Sequence, residues 1–465
     1  MTPDHPFRDY RNRRVTVLGL GAFGGGSGAV RFLVNQGARV TVSDLRAAEQ
    51  LADPLADLAG LPLELHLGEN RPADVLDAEL VVVNPALRRD LPLLEAARQA
   101  GVPLTSEMNL FWQHQRGRIA AVTGSNGKST TTALLHSILS QGTERAWLGG
   151  NIGRSLLPVV TEIRSTDWVV LELSSFQLAD LDRLQVSPEV AVVTNFAPNH
   201  LDWHPDLADY RRAKQTLLRW QSADSTAVLN ADDPDVRTWP TRGHRQSFGL
   251  SDSGLTGAFR TSDGCLVRDA AGEEAWPLGE WLQLPGSHNV ANALAAMTAA
   301  RACGVTREMI ATGIQKYQPL PHRLQLVGEV AGVRYYNDSL ATTPESAIVG
   351  LQAFAEPVVI LAGGYDKRVD LTAMGTEISR RARAVSLLGQ TGPALGRLVA
   401  ATPGNLCRIS PAHEDFASAF AWAVAQAKPG DVVLLSPGCA SYDWFRNFAD
   451  RGAQFEALVS LLSRS

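Results

Sequence analysis

Short apolar runs, glycine-bearing loops and stretches of helical periodicity alternate along this chain. The first block reads as a strand at 14–18, a glycine loop, a helix over 29–36 and a strand at 39–43. A further apolar run at 80–83 ends in Asn84-Pro85. Continuous runs this short suit strands buried on both faces of a parallel sheet, and their alternation with helices is the βαβ rhythm. A second block repeats it, with a strand at 118–122, a glycine loop, a helix over 131–140, strands at 168–173 and 190–194 and a helix over 209–220. Between 242 and 284, Gly, Ser, Asp and short alternating segments predict a small antiparallel β-patch, followed by a helix over 289–303. Gln318-Pro-Leu-Pro321 then breaks the pattern, and a third block places strands at 357–361, 384–388 and 431–435.

The predicted fold class is α/β with three domains. Residues 1–106 form a Rossmann-like domain, and residues 107–318 a central domain of P-loop type with a parallel sheet plus the antiparallel patch. Residues 319–465 form a second Rossmann-like domain. The length of 465 residues agrees, at ~150 residues per domain. The charge balance of 43 Lys+Arg against 48 Asp+Glu leaves a net charge of -5, which excludes a global basic field for nucleic acid or anionic lipid, so any phosphate site is local. Cys265, Cys303, Cys407 and Cys439 are scattered with no CxxC pair, which argues against a disulfide framework or a structural zinc site and for a reducing cytoplasm. Arg11, Arg13 and Arg14 before the apolar stretch 15–30 loosely resemble a secretion signal, but the glycines in that stretch argue otherwise. No stretch approaches the ~18 continuous apolar residues of a membrane span. The expectation is a soluble cytoplasmic monomer with no nucleic-acid or membrane partner.

The strongest local signal is Gly124-Ser125-Asn126-Gly127-Lys128-Ser129-Thr130, between a strand and a helix. Glycines there let backbone N–H groups close around phosphate oxygens, Lys128 neutralises charge, and Ser129 or Thr130 can ligate Mg2+ at the helix N-terminus. The full P-loop pattern would have glycine at Val122. An earlier loop, Gly19-Leu-Gly21-Ala22-Phe23-Gly24, satisfies GxGxxG after a strand, and Asp44 closes the next strand where a ribose-binding acid belongs. That pattern specifies a nucleotide and leaves its base open between NAD, FAD and others. Glu172, His200 and Lys214 are candidates for a Mg2+ or Mn2+ site, although each alone reads more simply as a capping acid, a surface histidine and a solvated lysine.

Taken together, these residues resemble the Mur ligases of bacterial peptidoglycan synthesis over essentially the whole chain. The likeness rests on the loop 124–130, Gly150-Asn-Ile-Gly153, Leu171-Glu-Leu-Ser-Ser-Phe-Gln177, His288-Asn289 with Asn292, Pro321-His-Arg323, Asn337-Asp-Ser339 and Ser436-Pro-Gly-Cys-Ala-Ser441, in family order. The resemblance also accounts for Val122, since the family's nucleotide loop has this shorter form. It implies an ATP-dependent ligase that adds D-glutamate to UDP-N-acetylmuramoyl-L-alanine through an acyl phosphate, in cell-wall precursor synthesis. It assigns Mg2+ to Ser129, Glu172, His200 and a carbamylated Lys214, a set in which Lys128, Glu172, His200 and Lys214 are catalytic. ATP falls to the loop 124–130 with Asn289, Asn292, Arg323 and Asp338. The UDP-sugar falls to Gly19, Gly21, Ala22, Phe23, Gly24, Asp44, Arg46, Asn84, Asn151, Ser174 and Gln177. The amino acid falls to Thr342, Lys367, Ser441, Tyr442 and Phe448.

One departure stands out. The family's run Asn-Asp-Ser-Lys-Ala-Thr-Asn is Asn337-Asp-Ser-Leu340-Ala-Thr-Thr343 here, so a cation near the amino-acid site is absent. Addition of L-glutamate therefore stays open as an alternative. A nicotinamide-dependent oxidoreductase is one rival, but it leaves the loop 124–130, Glu172 and His200 idle; a non-catalytic nucleotide-binding protein, in which ATP closes domains without ligation chemistry, is another. A folylpolyglutamate-synthase-like ligase would not need the N-terminal glycine loop.

Overall fold

The computed structural model describes residues 9–21, 24–200, 203–270 and 272–463. The described strands form sheets of five, nine and six. The first runs Leu63–Leu67, Arg39–Asp44, Arg14–Leu18, Leu80–Val83, Leu104–Thr105, all parallel. Its order reverses at Arg14–Leu18, so a crevice opens beyond Leu18 and Val83, at the glycine loop and Asn84. The helix expected from residue 29 begins one turn earlier, at Gly25–Asn35. Glycine's weak helix propensity hides that turn in the sequence. The turn needs glycine because a Cβ on Gly26 would lie 2.3 Å from the Leu20 carbonyl oxygen, and one on Gly28 would lie 2.4 Å from Ser155 Oγ.

In the second sheet the order is Gly272–Trp276, Cys265–Asp269, Gly257–Arg260, His244–Gly249, Thr226–Asn230, Val190–Val193, Arg118–Thr123, Trp168–Glu172, Ala146–Gly150. The expected antiparallel patch is confined to the first three of these strands. His244–Gly249 pairs in parallel on both sides and makes the patch an extension of the main sheet. The third sheet runs Gln325–Val330, Val333–Asn337, Val432–Leu435, Val358–Gly363, Ala382–Leu388, Arg408–Ile409, and its pairings are parallel except the first.

The chain divides into two compact units. One holds residues up to Leu282 with Ala291–Tyr317, and the other holds Gln283–Val290 with the chain from Gln318 onward. Within the first unit Val15 and Val17 of the first sheet belong to the same apolar cluster as Ile119 and Val169 of the second. The junction near residue 106 is therefore packed, not a free linker. The four cysteines are unbridged and buried. Among the described residues no helix is long and apolar enough to cross a membrane.

Candidate active site

The loop 124–130 joins the buried strand Arg118–Thr123 to the helix Lys128–Leu139. Gly127 caps that helix with φ 78°, and a Cβ there would meet Asn292 Oδ1 at 2.3 Å. Both the left-handed backbone and the contact with Asn292 strain any other residue there. The segment after Val190–Val193 pins the loop from outside. Thr194 Oγ1 donates to the Asn126 carbonyl at 2.6 Å, Asn195 Oδ1 accepts from the Asn126 N–H at 2.8 Å, and Ser125 Oγ donates to the Ala197 carbonyl at 2.9 Å. Lys128 folds back so that Nζ donates to the Ser125 carbonyl at 2.9 Å. A preformed cradle of helix N-terminal amides with one lysine beside it is an anion site.

Glu172 ends the strand Trp168–Glu172 and is buried. Its Oε1 accepts from Asn151 Nδ2 at 2.8 Å, while Oε2 is buried without a hydrogen-bond partner. An orphaned buried carboxylate oxygen is costly unless something positive meets it, which fits a cation ligand. Lys214, on the helix Leu207–Arg219, is also buried, and its Nζ donates to the Gly124 carbonyl at 2.7 Å. Burial holds this amine well below the ordinary lysine range, Lys128 pushes it further down and Glu172 opposes. A neutral amine is the form that takes up carbon dioxide to become a carbamate, an anionic oxygen ligand. His200 is exposed, has φ 55°, and sets its ring 4.9 Å from that of Phe176. Among the described residues no three His, Cys, Asp or Glu side chains gather as a ready metal cluster. A cation here would depend on Glu172 together with ligands of other kinds.

A cavity of about 510 Å³ opens at the switch point of the first sheet. Gly19, Gly21, Asp44, Arg46 and Asn84 line one side of it, and Asn151, Ser174 and Gln177 the other. Gly21 has φ 70°, and a Cβ there would sit 2.5 Å from Asn84 Nδ2. Asp44 is committed to the protein: Oδ2 accepts from the Leu20 N–H at 2.9 Å and from Arg46 at 2.8 Å. Despite burial, these bonds hold its carboxyl below the usual range. Gln177 Oε1 accepts from the Ser174 N–H and hydroxyl, at 3.0 and 3.1 Å. Asn151 lines the cavity and also grips Glu172, so the cavity and the loop 124–130 share one wall. Gly24, also expected here, caps the helix Gly25–Asn35, whose Gly25 and Gly26 line the cavity while Gly24 does not; Ala22 and Phe23 lie outside the described residues.

In the second unit, Asp338 is buried, with Oδ2 accepting from Ser436 Oγ at 2.7 Å and Arg323 3.8 Å from Oδ1. Burial raises its carboxyl to about 6. Asn289 is buried and donates from Nδ2 to the Pro285 carbonyl at 2.7 Å. In the first unit, Asn292 Oδ1 accepts from Thr131 Oγ1 at 3.3 Å, beside Gly127. Lys367 holds Nζ 5.7 Å from the centre of the Tyr442 ring, and Phe448 meets the His322 ring at 6.2 Å. Thr342 is half-buried and Ser441 buried.

The sequence reading missed three groups. Thr194 and Asn195 look like the end of a strand, yet they hold the nucleotide loop. His204 is buried with Nδ1 2.7 Å from Asp209 and Nε2 2.9 Å from Ser175 Oγ, tying the His200 segment to two helices. Arg451 is buried on the helix Phe448–Leu462 and donates to Ser339 Oγ, the Ser339 carbonyl and the Cys439 carbonyl at 2.9, 2.9 and 3.1 Å. A lone arginine far from any motif carries no sequence signal for such a clamp.

Residues 13–106 match the Mur ligase MurD-like N-terminal domain, residues 122–300 the Mur ligase middle domain, and residues 322–439 the Mur ligase glutamate ligase domain. A UDP-N-acetylmuramoylalanine--D-glutamate ligase of Roseiflexus sp. (strain RS-1) is 40% identical over 96% of this chain and 98% of its own length. The enzyme of that name from Acetivibrio thermocellus is 36% identical over 97% of each. Among solved structures, UDP-N-acetylmuramate-alanine ligase MurC from Thermotoga maritima superposes with TM-score 0.64 at 19% identity, over 98% of this chain and 100% of that one. A pseudomurein peptide ligase type C from Methanothermus fervidus gives 0.59 at 17%, over 97% and 100%.

Proposed function

The chain belongs to the Mur ligase family, and from that premise we propose that it adds D-glutamate to UDP-N-acetylmuramoyl-L-alanine with conversion of ATP to ADP and phosphate. Its relatives at 36–40% identity over nearly their whole length carry the name of that reaction, which makes the D-glutamate branch the reading with most support. The single observation in the site that carries the reading is the pair of buried groups Glu172 and Lys214, with the half-buried Lys128, beside the glycine loop.

The chemistry follows from the carboxylate, a poor electrophile with a poor leaving group. Its oxygen attacks the terminal phosphorus of ATP, ADP leaves, and the resulting acyl phosphate is open to the amine of glutamate. That amine adds to the acyl carbon, loses a proton and expels phosphate, leaving an amide. The loop amides and Lys128 hold the transferring phosphate and spread its charge, and the family likeness assigns ATP contacts to Asn289, Asn292, Arg323 and Asp338 as well. A divalent cation, Mg2+ or Mn2+, would be held by Ser129, Glu172, His200 and Lys214 as its carbamate, and when bound it neutralises phosphate charge. The N-terminal cavity holds the UDP-sugar. Thr342, Lys367, Ser441, Tyr442 and Phe448 hold the amino acid, with Lys367 facing a carboxylate. The three-domain division with boundaries near 106 and 318, the monomeric state and a cytoplasmic location belong to the same proposal; ATP and a UDP-sugar are cytoplasmic substrates.

The test mixes purified protein, ATP, Mg2+, the UDP-sugar and each enantiomer of glutamate. Phosphate release that needs both the sugar and D-glutamate is expected. Release with L-glutamate alone would move the reading to the L-adding variant, and no release with either would end it.

A further inference from the structure

Glu172, His200 and Lys214 come from three separate segments: the end of a strand, a turn and a helix. One buried residue, His204, touches all three. Its backbone N–H donates to the His200 carbonyl at 2.9 Å and, with the Trp203 N–H at 3.1 Å, closes the turn that carries His200. Its Nδ1 lies 2.7 Å from Asp209 Oδ2, on the helix Leu207–Arg219 that bears Lys214. Its Nε2 lies 2.9 Å from the hydroxyl of Ser175, which is buried at the start of the helix that follows Glu172. An ionised carboxylate only accepts, so the ring proton belongs on Nδ1, and Nε2 accepts from Ser175. The Ser175 end is a firm anchor. Thr123 Oγ1 donates to the Leu173 carbonyl at 2.8 Å, and Ser174 caps the helix by accepting from the Gln177 N–H. The His200 end is strained, with φ 55° on a residue other than glycine, a conformation that persists only where its surroundings hold it. The Phe176 ring fills the turn, 4.9 Å from His200, 4.7 Å from Trp203 and 5.8 Å from His204.

From this arrangement we infer that His204 is the positioning residue of the cation site: through Ser175 and Asp209 it sets the spacing of the segments that bring Glu172, His200 and Lys214 to one divalent cation. It touches neither substrate nor cation and acts only through the groups it ties together. Spacing decides affinity here because Mg2+ tolerates little departure from its preferred geometry, and hydrogen bonds that orient metal ligands are worth about 10- to 100-fold in binding. The bond between His204 and Ser175 is the part of this tie that joins the His200 turn to the Glu172 segment directly. The inference rests on the reading of Glu172, His200 and Lys214 as cation ligands.

The test cuts that bond from either side, with Ser175→Ala and with His204→Asn, whose shorter amide keeps a donor for Asp209. Binding of Mn2+ to the full-length protein is followed by electron paramagnetic resonance of the free ion. Each variant is expected to bind Mn2+ about tenfold more weakly than wild type. The double variant should do no worse than the weaker single one, because both changes remove the same bond. UDP binding, measured by calorimetry, should stay within about threefold of wild type and is the check on folding; Ser175→Ala, the smaller change, carries the test where His204→Asn folds poorly. In turnover, the Mg2+ concentration for half-maximal rate should rise by a similar factor, and raising Mg2+ should recover the lost rate. Mn2+ binding by Ser175→Ala equal to wild type, losses that multiply in the double variant, or a rate that saturating Mg2+ does not recover would each overturn the positioning role. If wild type itself binds no Mn2+, the cation reading fails and the inference with it; if wild type binds and the variants match it, the inference alone fails.

Discussion

Lys214 and Gly124, 90 residues apart in sequence, meet at 2.7 Å where the buried amine donates to the carbonyl that begins the nucleotide loop. The bond places a desolvated amine on the floor of a phosphate cradle, with Glu172 the nearest opposing charge. Lys214→Ala should reduce kcat by at least about 100-fold, the loss of one strong electrostatic group. Added short carboxylates should restore part of it if a carbamate is the working group. Full activity of the variant without additive would refute the role.

Glu172→Gln keeps the size of the side chain and its bond to Asn151 but removes the charge from the orphaned Oε2. Turnover should fall by on the order of 100-fold or more, while binding of the UDP-sugar, measured by calorimetry, changes little. A variant with near wild-type turnover at saturating divalent cation would remove Glu172 from the metal set.

Two glycine changes should separate the nucleotide sites. Gly127→Ala combines φ 78° with a contact to Asn292, and Gly21→Ala combines φ 70° with a contact to Asn84. Left-handed strain of ~1–2 kcal/mol alone predicts about tenfold weaker binding. The first variant should raise KM for ATP and the second KM for the UDP-sugar; an identical effect of both on both substrates would contradict the division.

Arg451 holds together three segments that carry Ser339 near Thr342, Cys439 near Ser441, and Phe448. Arg451→Lys cannot make the three-donor fork, so KM for glutamate should rise about tenfold or more with UDP-sugar binding preserved. Unchanged kinetics in a folded variant would show that the clamp is dispensable.

Glu107 lines the cavity of the first sheet, with Ser155 Oγ bonded to it, and burial raises its carboxyl from 4.5 to about 7. Between those values the folded state holds a proton that the unfolded chain has released, so stability falls as pH rises through this window and the loss is complete above about 7. Glu107→Gln removes that term. Relative to wild type it should gain on the order of 2–3 kcal/mol between pH 4.5 and pH 8 in denaturant unfolding. A difference that does not change with pH would sink the assignment.

Strand existence was legible along most of the chain because apolar runs such as 80–83 and 190–193 are buried on both faces, and nothing but a covered parallel sheet accommodates them. Helix starts were less legible at glycine loops, where Gly25 to Gly28 read as a break although close approach to Leu20 and Ser155 makes them helical. The glycine loop marked Lys128, and the resemblance to the family gave Glu172 and Lys214 their roles. Their burial, and hence the depressed amine of Lys214 and the unpaired oxygen of Glu172, was not, because desolvation depends on what other segments cover.

The sequence by itself determined the α/β class, the two glycine loops and the ordered motifs, since these are local patterns of periodicity and backbone freedom. Only the tertiary structure decided that Asn151 joins the cavity wall to Glu172, that Asp44 is bound to Leu20 and Arg46, and that His204 and Arg451 stand at junctions between segments. Most of those relationships join segments 20 to more than 100 residues apart, and a one-dimensional pattern carries no record of which distant groups will share a buried, poorly solvated space.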